Sequence, residues 1–219
     1  MKIDSVPWFT LLAAVSLAPA APDPATILAR WSFEKESPAA SHPPGGPTAR
    51  IEGAPVVDGH RGSALSFSDW SVTDWLKPDP AGATRVSVPH ASAPEQLNPA
   101  PPFRVSAWIY PVADPVYYGG VVEKGEGLEA SYRIVILRGL RIGASLGASG
   151  ISLRSPEPVS LNEWHEVALR VEASRVSLHV DGREVAASPL SAPPILESTA
   201  PLVIGERFSG RIDEVEISR

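Results

Sequence analysis

Phe103-Arg104-Val105-Ser106-Ala107-Trp108-Ile109-Tyr110, Asn162-Glu163-Trp164-His165-Glu166-Val167-Ala168-Leu169, Val176-Ser177-Leu178-His179-Val180-Asp181-Gly182 and Gly210-Arg211-Ile212-Asp213-Glu214-Val215-Glu216-Ile217 decide the fold. Each run alternates apolar with polar residues and is rich in β-branched and aromatic side chains, the pattern of a half-buried strand. Between them the same pattern recurs at residues 119–124, 131–137, 140–145, 150–153, 183–187 and 201–204. Leu137-Arg138-Gly139-Leu140 and Val180-Asp181-Gly182-Arg183 read as tight hairpin turns, because glycine takes the positive φ that two-residue connections need. Upstream, weaker strand candidates lie at 28–33, 49–51, 64–67 and 84–88, and residues 91–102 read as a loop holding one helical turn. About fourteen short strands with frequent turns, and no long helix, predict an all-β antiparallel sandwich of two sheets.

Composition fits that prediction. The chain has 219 residues, enough for one sizeable all-β domain. Its 24 prolines are about twice the usual ~5 % share. They cluster at 38–55, 78–115 and 189–201, between the apolar runs. Proline brings no amide to a ladder, so these clusters read as connections. A net charge of −6 without a Lys/Arg run argues against nucleic acid or an anionic membrane as partner. There is no cysteine, so no disulfide is available.

The N-terminus reads as an export signal over 1–20, with Lys2, an apolar stretch at 9–18 and Ala18-Pro19-Ala20 as the cleavage pattern. Asp4 offsets the charge of Lys2. Residues 21–27 are then a lead-in and 28–219 the domain. No apolar stretch reaches the ~18 residues of a membrane span. The expected location is periplasmic or extracellular.

Trp31-Ser32-Phe33-Glu34, Gly62-Ser63-Ala64-Leu65-Ser66-Phe67, the Phe103–Ile109 run, the run from Asn162 to Ala168, Val180-Asp181-Gly182, Leu202-Val203-Ile204-Gly205 and the run from Phe208 to Val215 follow one another in a specific order. Together they resemble the laminin-G-like, concanavalin A-like jelly-roll domains of exported bacterial proteins, over residues 28–219. The resemblance implies two curved antiparallel sheets, commonly a structural calcium, and binding of glycan or protein more often than catalysis. The chain departs from the family at Glu34-Lys35-Glu36, where a more Asp-Glu-like pair is usual, and in the long segment 68–83 with its two tryptophans.

Asp213 is the sharpest site candidate. In a regular strand it shares a face with Val215 and Ile217, so it is expected to point partly inward. An unpartnered buried carboxylate costs several kcal/mol. The partner is calcium, or Arg207 or Arg211, or a set of amides. Calcium takes six to eight oxygens. Glu34 approaches Asp213 if first and last strands pair, as the family has them, and carbonyls of Val57-Asp58-Gly59-His60 complete the shell. The candidate metal set is therefore Glu34, Gly59 and Asp213.

Trp70, Trp75, Tyr117 and Tyr118 fall in loops or at loop edges, where aromatic faces can stack on sugar rings. The alternative is that they pin a proline-rich loop to the sheet. Trp31, Trp108 and Trp164 are expected in the core. His165 is either a hydrogen-bonded sheet residue or a surface group, and the other histidines lack metal-ligand spacing. Glu214 and Glu216 have the i, i+2 spacing of a glycosidase pair, yet Arg211 stands where the first acid of the glucanase run belongs, so a solvated face is expected. No G-x-S-x-G elbow or nucleotide loop is present. The sequence thus points to an exported, non-catalytic module for a polysaccharide or glycoconjugate. The rival is a structural or adhesive module for cell-surface or extracellular protein, and a glycan-cleaving enzyme ranks third.

Overall fold

The computed structural model describes residues 26–68, 84–125, 130–192, 194 and 197–219. Fifteen strands are defined among the described residues. The first five are β1 (Ile27–Trp31), β2 (Arg50–Glu52), β3 (Val56–Asp58), β4 (Ser63–Phe67) and β5 (Arg85–Val88). Then come β6 (Phe103–Pro111), β7 (Tyr118–Lys124), β8 (Tyr132–Leu137), β9 (Arg141–Leu146) and β10 (Ile151–Pro158). The last are β11 (His165–Val171), β12 (Arg175–Val180), β13 (Arg183–Pro189), β14 (Leu202–Ile204) and β15 (Gly210–Ser218). The helical turn expected in 91–102 is α1 (Pro94–Leu97).

The strands form two antiparallel sheets. One has eight strands in the order β13-β12-β11-β6-β15-β4-β3, with β1 added alongside β15. The other has seven, in the order β10-β9-β8-β7-β14-β5-β2. Val105, Ala107 and Ile109 of β6 share one buried core with Ile134, Ile136 and Ile142 of β8 and β9. This is the two-sheet antiparallel sandwich that the alternation predicts, with the jelly-roll form that the resemblance implies. At 219 residues the buried aliphatic layer is large enough to hold the fold without disulfides.

Two local expectations change and one holds. Val56–Asp58, outside the strand candidates of the sequence, is a strand paired with β4. The β8–β9 connection has three residues rather than two, because Leu137 pairs Arg141 and both Gly139 and Leu140 adopt positive φ. The β12–β13 turn does have two, Asp181 (φ 49°) and Gly182 (φ 74°), the pair of left-handed residues of a type I′ hairpin.

The largest correction concerns β15. Ile212 pairs Ile109 and Asp213 pairs Trp108, but the next pair is Glu216 with Ser106. Glu214 and Val215 therefore oppose the single Ala107, a β-bulge, with Glu214 at φ 50°. The extra residue reverses the alternation. Ile212 points inward before the bulge and Val215 after it, so Asp213 lies on the outer face with Trp108, not on the face of Val215.

Trp31 is core as expected, its Nε1 donating to the Pro47 carbonyl at 3.1 Å. Trp108 and Trp164 are not. Both lie on the outer side of the eight-stranded sheet, partly exposed, where the His60 ring stacks on Trp108 (centroids 3.6 Å apart, 9° between planes) and meets Trp164 edge-on. Parity explains this: Val105, Ala107 and Ile109 claim the inner face of β6, so Trp108 between the last two must face out.

After β14 the chain turns at Gly205 and runs over β7. Gly205 has φ 78°, and a Cβ there would lie 2.2 Å from the Phe67 ring. Gly139 has the same φ of 78° but open space around it. We expect Gly139→Ala to lower stability by about 1 kcal/mol, the backbone penalty alone. Gly205→Ala is expected to lower it by about 3 kcal/mol or more, because overpacking adds to that penalty. Urea denaturation of both variants checks the difference.

Candidate functional site

The 59–63 turn folds over Asp213 and leaves its side chain with 0 % exposure. The Arg61 amide donates to Oδ2 at 3.0 Å and the Glu214 amide to Oδ1 at 2.7 Å, and the His60 amide also donates to this carboxylate. A Cβ at position 59 would lie 2.8 Å from Oδ2, so only glycine lets the turn close this far. The Ser63 amide donates to Glu34 Oε2 at 3.3 Å. Glu34 and Asp213 thus hold the two ends of one turn, and β1 does pair with β15 as expected. Arg211 instead donates to the Asp58 carbonyl and Arg207 to the Tyr118 hydroxyl.

The groups aimed at these carboxylates are N–H donors, whereas calcium takes oxygens. Among the described residues no group of three or more His, Asp or Glu side chains is placed to hold a metal. Glu34 and Asp213 thus cap, through backbone amides, the turn that Gly59 lets close. Burial pushes the Asp213 carboxyl up to about 6, against the opposing effect of its amide donors. We expect Asp213→Ala to cost about 2–4 kcal/mol in urea unfolding, because buried amides lose their acceptor. A chelator should leave the melting temperature of the native protein unchanged.

The outer face of the seven-stranded sheet has a different character. One row of directly paired residues crosses it: Arg50 (β2), Ser87 (β5), Val203 (β14), Glu123 (β7), Arg133 (β8), Ser145 (β9) and Ser152 (β10). Every member but Val203 is polar. These residues sit on this face because their strand neighbours Ile51, Val86, Ile204, Val122 and Ile134 take the core side. Part of the row floors a groove of about 590 Å³, lined also by Glu52, Arg85, Tyr118, Glu206 and Arg207.

The groove walls are held from beneath. The fully buried Lys124 donates to the carbonyls of Ser198 (2.7 Å) and Ala200, fixing the Ala200–Pro201 wall. On the other side the Gly120 amide donates to the Glu206 carbonyl at 2.7 Å, and a Cβ at Gly119 would lie 2.9 Å from the Arg207 carbonyl. That approach brings Arg207 over Tyr118. The guanidinium carbons of Arg133 and Arg207 lie 5.6 and 5.7 Å from the Tyr118 ring centroid, and Arg207 Nη1 donates to its hydroxyl at 3.3 Å.

Of the aromatic candidates, Tyr118 lines this groove, at the start of β7. Tyr117 is beside it in sequence but 63 % exposed outside the groove, its carbonyl accepting the Arg138 amide. Trp70 and Trp75 lie outside the described residues. Glu123, Arg133 and Arg207 escaped the sequence reading. Their signal, polar residues at alternate positions of unconnected strands, is visible only once strand order joins them. His165 is the hydrogen-bonded sheet residue of the two alternatives, with Asp181 Oδ2 and Ser160 Oγ each 2.9 Å from its ring nitrogens. Ser160 Oγ also donates to Glu163 Oε2 at 2.5 Å.

Glu123 is the electrostatic centre of the groove. Burial pushes its carboxyl up from 4.5 to about 7; Glu206 raises it further, and Arg133, 3.7 Å away, and Arg207 oppose the rise. Burial and Glu123 likewise push the Tyr118 phenol up, keeping it a donor. Between about pH 4.5 and 7 the folded chain holds a proton that the unfolded chain has released. This carboxyl therefore stabilises the fold fully below about pH 4.5, and that contribution is lost as pH rises through 7. Glu123→Gln should flatten the fall in stability between pH 5 and 8 and raise stability at pH 8 by about 1–3 kcal/mol. Urea titrations at stepped pH measure it.

Comparison with known proteins places this geometry. Domain 4 of AbnA, an extracellular arabinanase from Geobacillus stearothermophilus solved in complex with arabinotriose, superposes with a TM-score of 0.65 at 15 % identity, over 90 % of this chain and 94 % of that one. A botulinum neurotoxin type C structure, described for ganglioside-dependent cell entry, gives 0.65 at 10 % identity over 88 % of this chain. The binding domain of botulinum neurotoxin DC, in complex with rat synaptotagmin II, gives 0.64 at 10 %. The chain spans about half the length of the toxin structures, 47 % and 48 %. At these identities the likeness is one of fold. No curated protein matches the sequence. Residues 86–219 match the family model described as the concanavalin A-like lectin/glucanases superfamily, and the chain belongs to that family.

Proposed function

We propose that the chain is an exported binding module whose glycan site is the groove on the seven-stranded sheet, and that it holds its ligand without cleaving it. The observation that carries this is the polar row across all seven strands, ending in a groove where the Tyr118 ring stands beside hydrogen-bonding side chains. Sugar recognition asks for that combination: a flat apolar surface for the ring and fixed donors and acceptors for the hydroxyls. Arabinotriose on the arabinanase domain and gangliosides for the toxin support the ligand class by analogy of fold. The export reading rests on Lys2, residues 9–18 and Ala18-Pro19-Ala20, which lie outside the described residues. No helix among the described residues is long and apolar enough to cross a membrane.

Val112 (47 % exposed), Val116 (37 %) and Tyr117 (63 %) favour a second reading as a protein-binding module. They occupy the loop between β6 and β7, outside the groove. The toxin domain bound to synaptotagmin II is the corresponding precedent.

Affinity electrophoresis and calorimetry against a polysaccharide panel that includes arabinan decide between them. Tyr118→Ala should weaken glycan binding by about tenfold, since stacking and a hydroxyl contact are worth about 1–2 kcal/mol. Glycan-independent capture of an extracellular protein would favour the loop instead. Release of reducing ends from any member of the panel would refute the non-catalytic reading.

A further inference from the structure

We infer that the groove selects glycans bearing anionic groups, uronate carboxylates or sulfate esters, over neutral ones; this rests on the groove being the glycan site. The argument is a charge count at one place. Three arginines line the groove, Arg50, Arg85 and Arg207, and Arg133 adjoins it beside Tyr118. Glu52 pairs with Arg85 at 2.8 Å and Glu123 with Arg133 at 3.7 Å. Among the described residues Arg50 and Arg207 face no carboxylate within ion-pair distance, while Glu206 is the one acidic residue in the lining that lacks a cationic partner.

With Arg133 included, four arginines stand against Glu52, Glu123 and Glu206, a small cationic excess on a chain that carries −6 overall. Placement sharpens the point. Arg133 and Arg207 both lie within 6 Å of the Tyr118 ring centroid, so an anion at the edge of that ring is within reach of both guanidiniums. The Tyr118 hydroxyl accepts from Arg207 and so keeps its own proton for a ligand. Guanidinium forks match carboxylate and sulfate oxygens. A neutral sugar uses the ring and leaves Arg207 without an anionic partner.

Matched polymer pairs test this, because each pair differs in charge but not in backbone: polygalacturonate against its methyl ester, and dextran sulfate against dextran. Calorimetry should show the charged member of at least one pair bound ten-fold or more tighter, with the preference shrinking between 50 and 500 mM NaCl. Whichever pair shows it identifies the carboxylate or the sulfate as the recognised group. In Arg207→Gln, and separately in Arg50→Gln at an exposed strand end, that ratio should fall below about three-fold, with melting curves confirming the fold. Equal binding of charged and neutral members overturns the anion selectivity and leaves the glycan site standing. Binding to no polysaccharide at all overturns both.

Discussion

Strand β15 is the member on which the sandwich depends, because it changes partner half-way along. On one side it pairs with β6 from end to end. On the other, β4 takes Gly210–Ile212 and β1 takes Val215–Ser218. Asp213 and Glu214 fall at the handover, where neither strand supplies a ladder. The bulge, the positive φ of Glu214 and the capping of the 59–63 turn by Asp213 are three responses to that one gap. Backbone amides that no strand can accept are taken by a carboxylate. The ion pair of Glu214 with Arg30 then ties β1 down at the same point. Asp213 thus substitutes for missing sheet hydrogen bonds at the handover.

The two outer faces divide along the same physical line. On the eight-stranded sheet, Trp108 and Trp164 are covered by His60 and Tyr110, so their apolar area is largely spent within the molecule. On the seven-stranded sheet the row from Arg50 to Ser152 stays polar, and the loop carrying Glu206 and Arg207 builds one wall above it. Small residues permit this. Gly119 and Gly120 let that loop lie against β7, and Glu123 folds back over Gly120, where a Cβ would meet its carboxylate. The result is a buried carboxyl and two guanidiniums around one phenol.

The fold is shared with an arabinan-degrading enzyme's domain and with toxin receptor-binding domains, and a shared fold does not fix a ligand. What differs among such proteins is the set of side chains on the exposed sheet and the loops at its ends. Here that set is rich in arginine, while the chain as a whole is acidic. The groove is therefore the part of this molecule that its global composition least predicts.

Alternation was legible because it is local: each strand's own residues report which face is apolar, and nearly all strands fell where period-2 patterning put them. Trp108 and Trp164 depart from the core placement expected of strand tryptophans; for Trp108 the parity of Val105, Ala107 and Ile109 shows why. Asp213 was misread for another reason, since a bulge is a mismatch in count between two strands and neither strand's sequence shows it alone. Tyr118 could be found as an exposed-edge aromatic; Glu123, Arg133 and Arg207 could not, being 84 residues apart at the extremes. The amino-acid sequence by itself determined the sandwich, because burial of alternate residues is decided strand by strand. Only the tertiary structure decided the groove and the capped turn, because both depend on which strands lie side by side and in what register.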